Sequence, residues 1–158
     1  MKLHVEVFFV KLEDENAVYF RDFLDLSYKS QDPDVYVKQK VEEHAQALKA
    51  GHDDCIIHST SWRCDHSNLV VLTYIVYSDS FIFPKGKAKK IAIENLKIAT
   101  SEDINKPKPV EIAEKNIVSH GLRHVSFLIK HDEVFKKRVI FGTKETFKKI
   151  DRVLAEKV

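Results

Sequence analysis

The chain has 158 residues, 44% hydrophobic and 32% charged, enough to bury roughly two thirds of its unfolded surface within one domain, 1–158. A net charge of only +2 sets it apart from strongly basic nucleic-acid-binding modules, and no apolar run reaches the length of a membrane span. The opening residues, MKLHVEVFFVKLEDE, turn acidic where a secretory leader would show a small-residue cleavage site, so the expectation is a cytoplasmic protein with reduced thiols.

LHVEVFFV (3–10) alternates Leu3, Val5, Val7 and Phe9 on one face, which predicts a strand. Asn16 then reads as the cap of a short helix carrying Phe20, Phe23 and Leu24 on one side, and the polar SYKSQDPD (27–34) reads as a loop. Asp34 reads as the cap of a longer helix, where Val37, Val41, Ala45 and Leu48 recur at helical spacing and Gly51 ends it.

Residues 54–63 (DCIIHSTSWR) and 69–78 (LVVLTYIVYS) predict an apolar hairpin around the turn-like CDHSN. A pair this apolar is expected at the centre of a sheet. A short turn pairs His58 with Ile75, Thr60 with Thr73, and Trp62 with Val71, while Ser59 meets Tyr74 and Ser61 meets Leu72. His58, Thr60, Thr73 and Tyr74 occupy positions where Val or Ile would serve a plain core. Buried polar groups need partners, so the seam is either an internal network or the wall of a site for a small polar or anionic ligand. Cys55 and Cys64, on one extended strand, would stand roughly 30 Å apart and cannot form a disulfide. The same stretch makes Cys55, His58, Cys64 and His66 too dispersed to share one metal.

Residues 79–90, with Pro84 and Gly86, form a connection, and IAIENLKI (91–98) favours a strand that joins the hairpin. SEDINKPKP (101–109) is a loop. From Val110 to about Lys130 the apolar spacing is helical, and Thr143 caps a last helix with Phe147, Ile150, Leu154 and Val158 aligned. The order β-α-α-β-β-(β)-α-α gives an α+β fold: a small, mainly antiparallel sheet with a central hairpin and helices packed on it.

Two groupings of the eight histidines carry possible chemistry. His58-Ser59-Thr60 and His124-Val125-Ser126, the latter followed by Phe127, resemble the histidine–hydrophobic–Ser/Thr–hydrophobic motif of the 2H phosphoesterase superfamily. That resemblance implies His58 and His124 as a catalytic acid/base pair acting on a phosphodiester, with Thr60 and Ser126 holding the phosphate. It requires residues 123–130 to be a strand, whereas their spacing reads as a helix. On a helix, His120, His124 and His131 stand at i, i+4 and i+11, within about 40° of one another, a spacing that suits zinc if a third ligand such as His58, His66 or Cys64 comes from elsewhere. Arg63 and Arg123 flank the two histidine segments and could clamp an anion, or pair with the acidic first half of the chain.

Residues 1–79 hold 8 Lys/Arg against 14 Asp/Glu, and residues 80–158 hold 18 against 10. Such opposed halves attract within one fold or dock subunits, so a homo-oligomer is expected. KGKAKK (85–90) and KKR (136–138) read as solvated faces rather than a nucleic-acid patch. The expected role is a non-catalytic module binding a small ligand or a protein, its site lined by Thr60, Arg63, Thr73, Tyr74, Arg123 and Ser126. The alternative is a phosphodiester or metal-dependent hydrolase using His58 and His124.

Overall fold

The structure, a computed structural model, describes residues 2–25, 32–48, 54–65, 68–99 and 113–156. The loop 101–109, most of the loop 27–34, the Gly51 helix stop and His66 lie outside the described residues.

Five strands form one mixed sheet in the order β3-β4-β1-β2-β5. Strand β1 (Lys2–Glu13) is its centre, and every residue from Val5 to Val10 is buried. That continuous burial marks a strand covered on both faces. Strand β2 (Asn16–Asp25) folds back on β1 through a two-residue turn, in which Asp14 takes φ 54°, a left-handed conformation that Asp tolerates. The helix expected at Asn16 is therefore a strand. Phe20, Phe23 and Leu24 match a helical spacing, but the alternation of Ala17, Tyr19 and Arg21 toward one face prevails because β1 offers ten paired positions.

Strand β4 (Leu69–Tyr77) lies parallel to β1 from Lys2↔Leu69 to Val10↔Tyr77, and the other pairings are antiparallel. Of the predicted hairpin, β4 takes an inner position while β3 (Ile56–Asp65) forms the edge. Short β5 (Lys89–Ala92) pairs with β2 rather than with the hairpin, and a 3-10 turn at Ile93–Asn95 ends it.

Helices cover both faces. Against one, α1 (Pro33–Leu48) packs Tyr36, Val37 and Val41 on Val5, Val7, Phe9, Tyr74 and Val76. Its first turn is capped by Asp32, which accepts from the Asp34 amide at 2.8 Å, so Asp34 is not the cap. Against the other face, α2 (Glu114–His131) and α4 (Phe141–Glu156) pack Val118, Leu122, Val125, Phe147 and Ile150 on Phe8, Val10, Ile75 and Tyr77. A short α3 (Glu133–Lys137) joins them. Thr143 lies inside α4 rather than capping it, and its hydroxyl donates to Asp79 at 2.9 Å. Among the described residues no helix is long and apolar enough to cross a membrane.

Candidate functional site

Two local features of the α2-facing side of the sheet create its polar end. The first is a β-bulge at Thr60, which shifts the β3–β4 register between Ser59 and Ser61. His58↔Ile75 and Ser59↔Tyr74 pair as the hairpin predicts, but beyond the bulge Ser61 meets Thr73 and Arg63 meets Val71. The extra residue turns Arg63 onto the α2-facing side of the sheet and Trp62 onto the other, where Trp62 is 65% exposed. The second is Gly121, buried in α2, where an added Cβ would stand 2.6 Å from Ile75 Cδ1. Absence of a side chain lets α2 settle on β4, so the residues flanking Gly121 reach β3.

His58, His124 and His120 meet there in a chain. His58 Nε2 lies 3.2 Å from His124 Nδ1, and His124 Nε2 lies 3.1 Å from His120 Nε2. His120 Nε2 is also 3.4 Å from the Thr60 carbonyl, which the bulge presents. Burial lowers the pKa of His58. Burial, and then the charges of His120, His58 and Arg123, depress His124 to about 4, so both rings are neutral at physiological pH.

Beyond Thr60 the seam continues into the sheet. The Thr60 hydroxyl donates to the Thr73 carbonyl at 3.2 Å, and the Thr73 hydroxyl donates to Glu6 at 2.6 Å. Glu6 is fully buried, with Arg63 Nη1 2.5 Å from one carboxylate oxygen and Arg21 Nη2 2.7 Å from the other. Desolvation alone would raise its pKa, but hydrogen bonds from Arg63 and Thr73 and the charges of both arginines outweigh it and hold the carboxyl below its usual range.

A pocket of about 360 Å³ opens beside the edge strand, lined by His58, Ser59 and Tyr74 of the hairpin together with Lys38, Phe135 and Arg138. Asp34 also lines it and accepts a short hydrogen bond from the Tyr74 hydroxyl, which raises the Tyr74 pKa through burial first and this contact second. Arg138 donates to the Cys55 carbonyl at 2.7 Å and so closes one end of the strand edge. Both cysteines are free. Cys55 is buried, and burial with the nearby Asp54 charge pushes its thiol up to about 12, making it a packing residue rather than a nucleophile.

The structure thus brings His58, Thr60, His120 and His124 together and links them through Thr73 to Arg63. Tyr74 faces the α1 side and joins only through the pocket. Ser126 is buried against α4 and donates to Asp151 at 2.9 Å, away from the histidines. Arg123 is exposed on α2. His131 packs on Phe127, ring centroids 4.4 Å apart, outside the chain of three. Residues 123–130 are helical, which removes the strand that the 2H phosphoesterase resemblance requires. His58 and His124 also touch directly instead of facing each other across a substrate.

The zinc arrangement does not fit either. A single ion needs one lone pair from each ligand aimed at a common point, whereas His124 turns Nδ1 to His58 and Nε2 to His120, on different sides of its ring. Among the described residues no group of three or more His, Cys, Asp or Glu is arranged to hold a metal ion.

Glu6, Arg21 and Lys38 are site residues that sequence reasoning passed over, and Arg138 is one it read as part of a solvated face, KKR (136–138). Glu6 carried a usable signal, because the unbroken run Val7-Phe8-Phe9-Val10 marks a strand buried on both faces, where a carboxylate must be paired. Lys38 and Arg138 come from remote helical segments and carry no such signal. Comparison with protein-family models finds no match, and comparison with curated proteins finds no similar sequence.

Proposed function

We propose that this protein is a small-ligand-binding module whose ligand is an oxyanion, held in the pocket beside β3. The observation that carries this reading is the pocket's charge: two cations, Lys38 and Arg138, share it with one carboxylate, Asp34, which the Tyr74 hydroxyl already engages. His58 and Ser59 add short-range donors to the same wall. Titration of the purified protein with inorganic phosphate tests it. Saturable binding is expected, weakened about tenfold or more in Lys38→Glu, where a repulsive charge replaces an attractive one. Unchanged affinity in that variant would refute the pocket as the site.

The direct contact of His58 with His124 favours a second reading, hydrolysis of a phosphodiester in this pocket with His58 as the general acid for the leaving oxygen and His124 resupplying its proton. An activated diester such as bis(p-nitrophenyl) phosphate is then turned over, and His58→Ala lowers the rate about a hundredfold or more. Equal rates for both proteins would dismiss it.

A further inference from the structure

The nitrogens used along the histidine chain fix where its hydrogens sit. A carbonyl oxygen can only accept, so the hydrogen facing the Thr60 carbonyl belongs to His120 Nε2. His124 Nε2 faces that same atom at 3.1 Å and must therefore present a lone pair. Being neutral, His124 carries its hydrogen on Nδ1, which points at His58 Nε2, 3.2 Å away. His58 Nε2 then accepts, and the hydrogen of His58 sits on Nδ1. Among the described residues no partner is seen for that nitrogen, on a residue that lines the pocket. The one lone pair of the three rings left outside the chain is on His120 Nδ1, at the far end.

A proton can therefore join this chain only at His120. The alternating use of Nδ1 and Nε2 by His124, which defeats a metal, is what proton transfer through an imidazole needs. We propose that the pocket is a proton-coupled oxyanion site: an oxyanion bound beside His58 draws one proton from solvent, which enters at His120 Nδ1 and arrives as positive charge on His58. The steps balance. His120 gains a proton on Nδ1 and passes its Nε2 proton to His124 Nε2. His124 passes its Nδ1 proton to His58 Nε2. His58 ends as an imidazolium with Nδ1–H toward the anion, and the other two rings end neutral in the opposite tautomer. The two transfers at His124 are concerted in this scheme, one proton leaving Nδ1 as the other arrives at Nε2, so no proton rests on the ring whose protonation the fold resists most clearly.

The charged surroundings agree with the destination. The groups whose charge bears on His124 are His120, His58 and Arg123, and each disfavours a cation there. Around His58 the pocket brings Asp34 from α1 and the Tyr74 hydroxyl from β4 alongside Lys38 and Arg138, and a bound oxyanion would add the missing countercharge. On the far side of Thr60, Glu6 is already neutralised by Arg21 and Arg63 and does not compete for the proton.

The ligand in this inference rests on the anion-pocket reading; the path of the proton does not. Long-range proton–nitrogen NMR of the histidine side chains separates them. At about pH 8 the expected tautomers are Nδ1–H for His58, Nδ1–H for His124 and Nε2–H for His120. Acidification without ligand, or saturation with inorganic phosphate near neutral pH, should charge His58 and switch His124 to Nε2–H and His120 to Nδ1–H. A merely structural histidine would not exchange tautomers. Charging of His58 with His124 unchanged would overturn the path. A switch on acidification with no response to phosphate would keep the path and overturn the oxyanion. Calorimetry of phosphate binding in buffers of different ionisation heat gives a second readout, about one proton taken up per phosphate near neutral pH. In His124→Gln, whose amide can donate to His58 Nε2 but cannot pass a proton on, that uptake should fall to near zero. Retained uptake in a folded variant would refute the relay.

Discussion

Replacing Glu6 with alanine is expected to cost about 3–5 kcal/mol of folding stability, the range seen when one partner is removed from a buried ion pair. Glu6 is inaccessible, and its carboxylate is the countercharge to Arg63 and Arg21 and the acceptor for Thr73. Removing it leaves two partly exposed guanidinium groups without the countercharge they share. Glu6→Gln keeps the shape but not the charge: its oxygen can still accept from Thr73 and Arg63, which share one carboxylate oxygen, while its amide nitrogen faces Arg21. The pH dependence follows in sign. Because the folded-state pKa of Glu6 is lowered from 4.5, the carboxylate contributes its full stabilisation above that value and loses it as pH falls through the depressed folded one. Urea unfolding at neutral and acid pH should show the wild-type protein losing this share in acid while Glu6→Gln, which has none to lose, changes less. A neutral-pH cost for Glu6→Ala below about 1 kcal/mol would mean that the arginines find solvent as readily as the carboxylate.

Gly121→Val is expected to destabilise by about 2–3 kcal/mol and, beyond that, to disconnect the histidines. A Cβ at this position meets Ile75 Cδ1 at 2.6 Å and Ile75 Cβ at 3.3 Å. Alanine has a partial escape, since Cδ1 is the free end of a side chain and can swing aside, while leaving glycine in a helix returns about 1 kcal/mol. Gly121→Ala should therefore lie much closer to wild type. Valine adds two more carbons against the branched Ile75 stem, which cannot turn away, so α2 must lift from β4. His120 and His124 flank this point and would lift with it, breaking the 3.2 Å contact to His58. Denaturant midpoints report the first effect and the His58 side-chain nitrogen shifts report the second. Intact His58 shifts in a folded Gly121→Val would show that β3 follows the helix.

Much of this site is legible in the sequence because its parts are local. The helical spacing of His120 and His124 and the pairing of His58 with Ile75 both follow from short-range pattern, and both are present. What escapes is long-range or one residue in extent. The bulge at Thr60 has no signature within Ser59-Thr60-Ser61, yet it decides that Arg63 and not Trp62 faces Glu6. The strand at Asn16–Asp25 reads as a helix in the sequence because Phe20, Phe23 and Leu24 satisfy a helical repeat, and only the pairing with β1 overturns that reading. Gly121 looks like a spacer between two histidines until Ile75 is seen beneath it.

The parallel register of β1 with β4 has a consequence for how the chain comes into being. Synthesis delivers β1 first, and β2 can fold back on it at once, but the other edge of β1 is filled only when Leu69–Tyr77 has emerged. Until then Val5–Val10, six consecutive residues that end up buried, hold open backbone groups along a strongly β-forming segment, VEVFFV. Closing a loop of that span is slow beside hairpin formation. Such an exposed edge invites strand addition from a second nascent chain. The central strand of the finished sheet is thus the segment most open to aggregation during translation, and the stretch 69–77 is what ends that exposure.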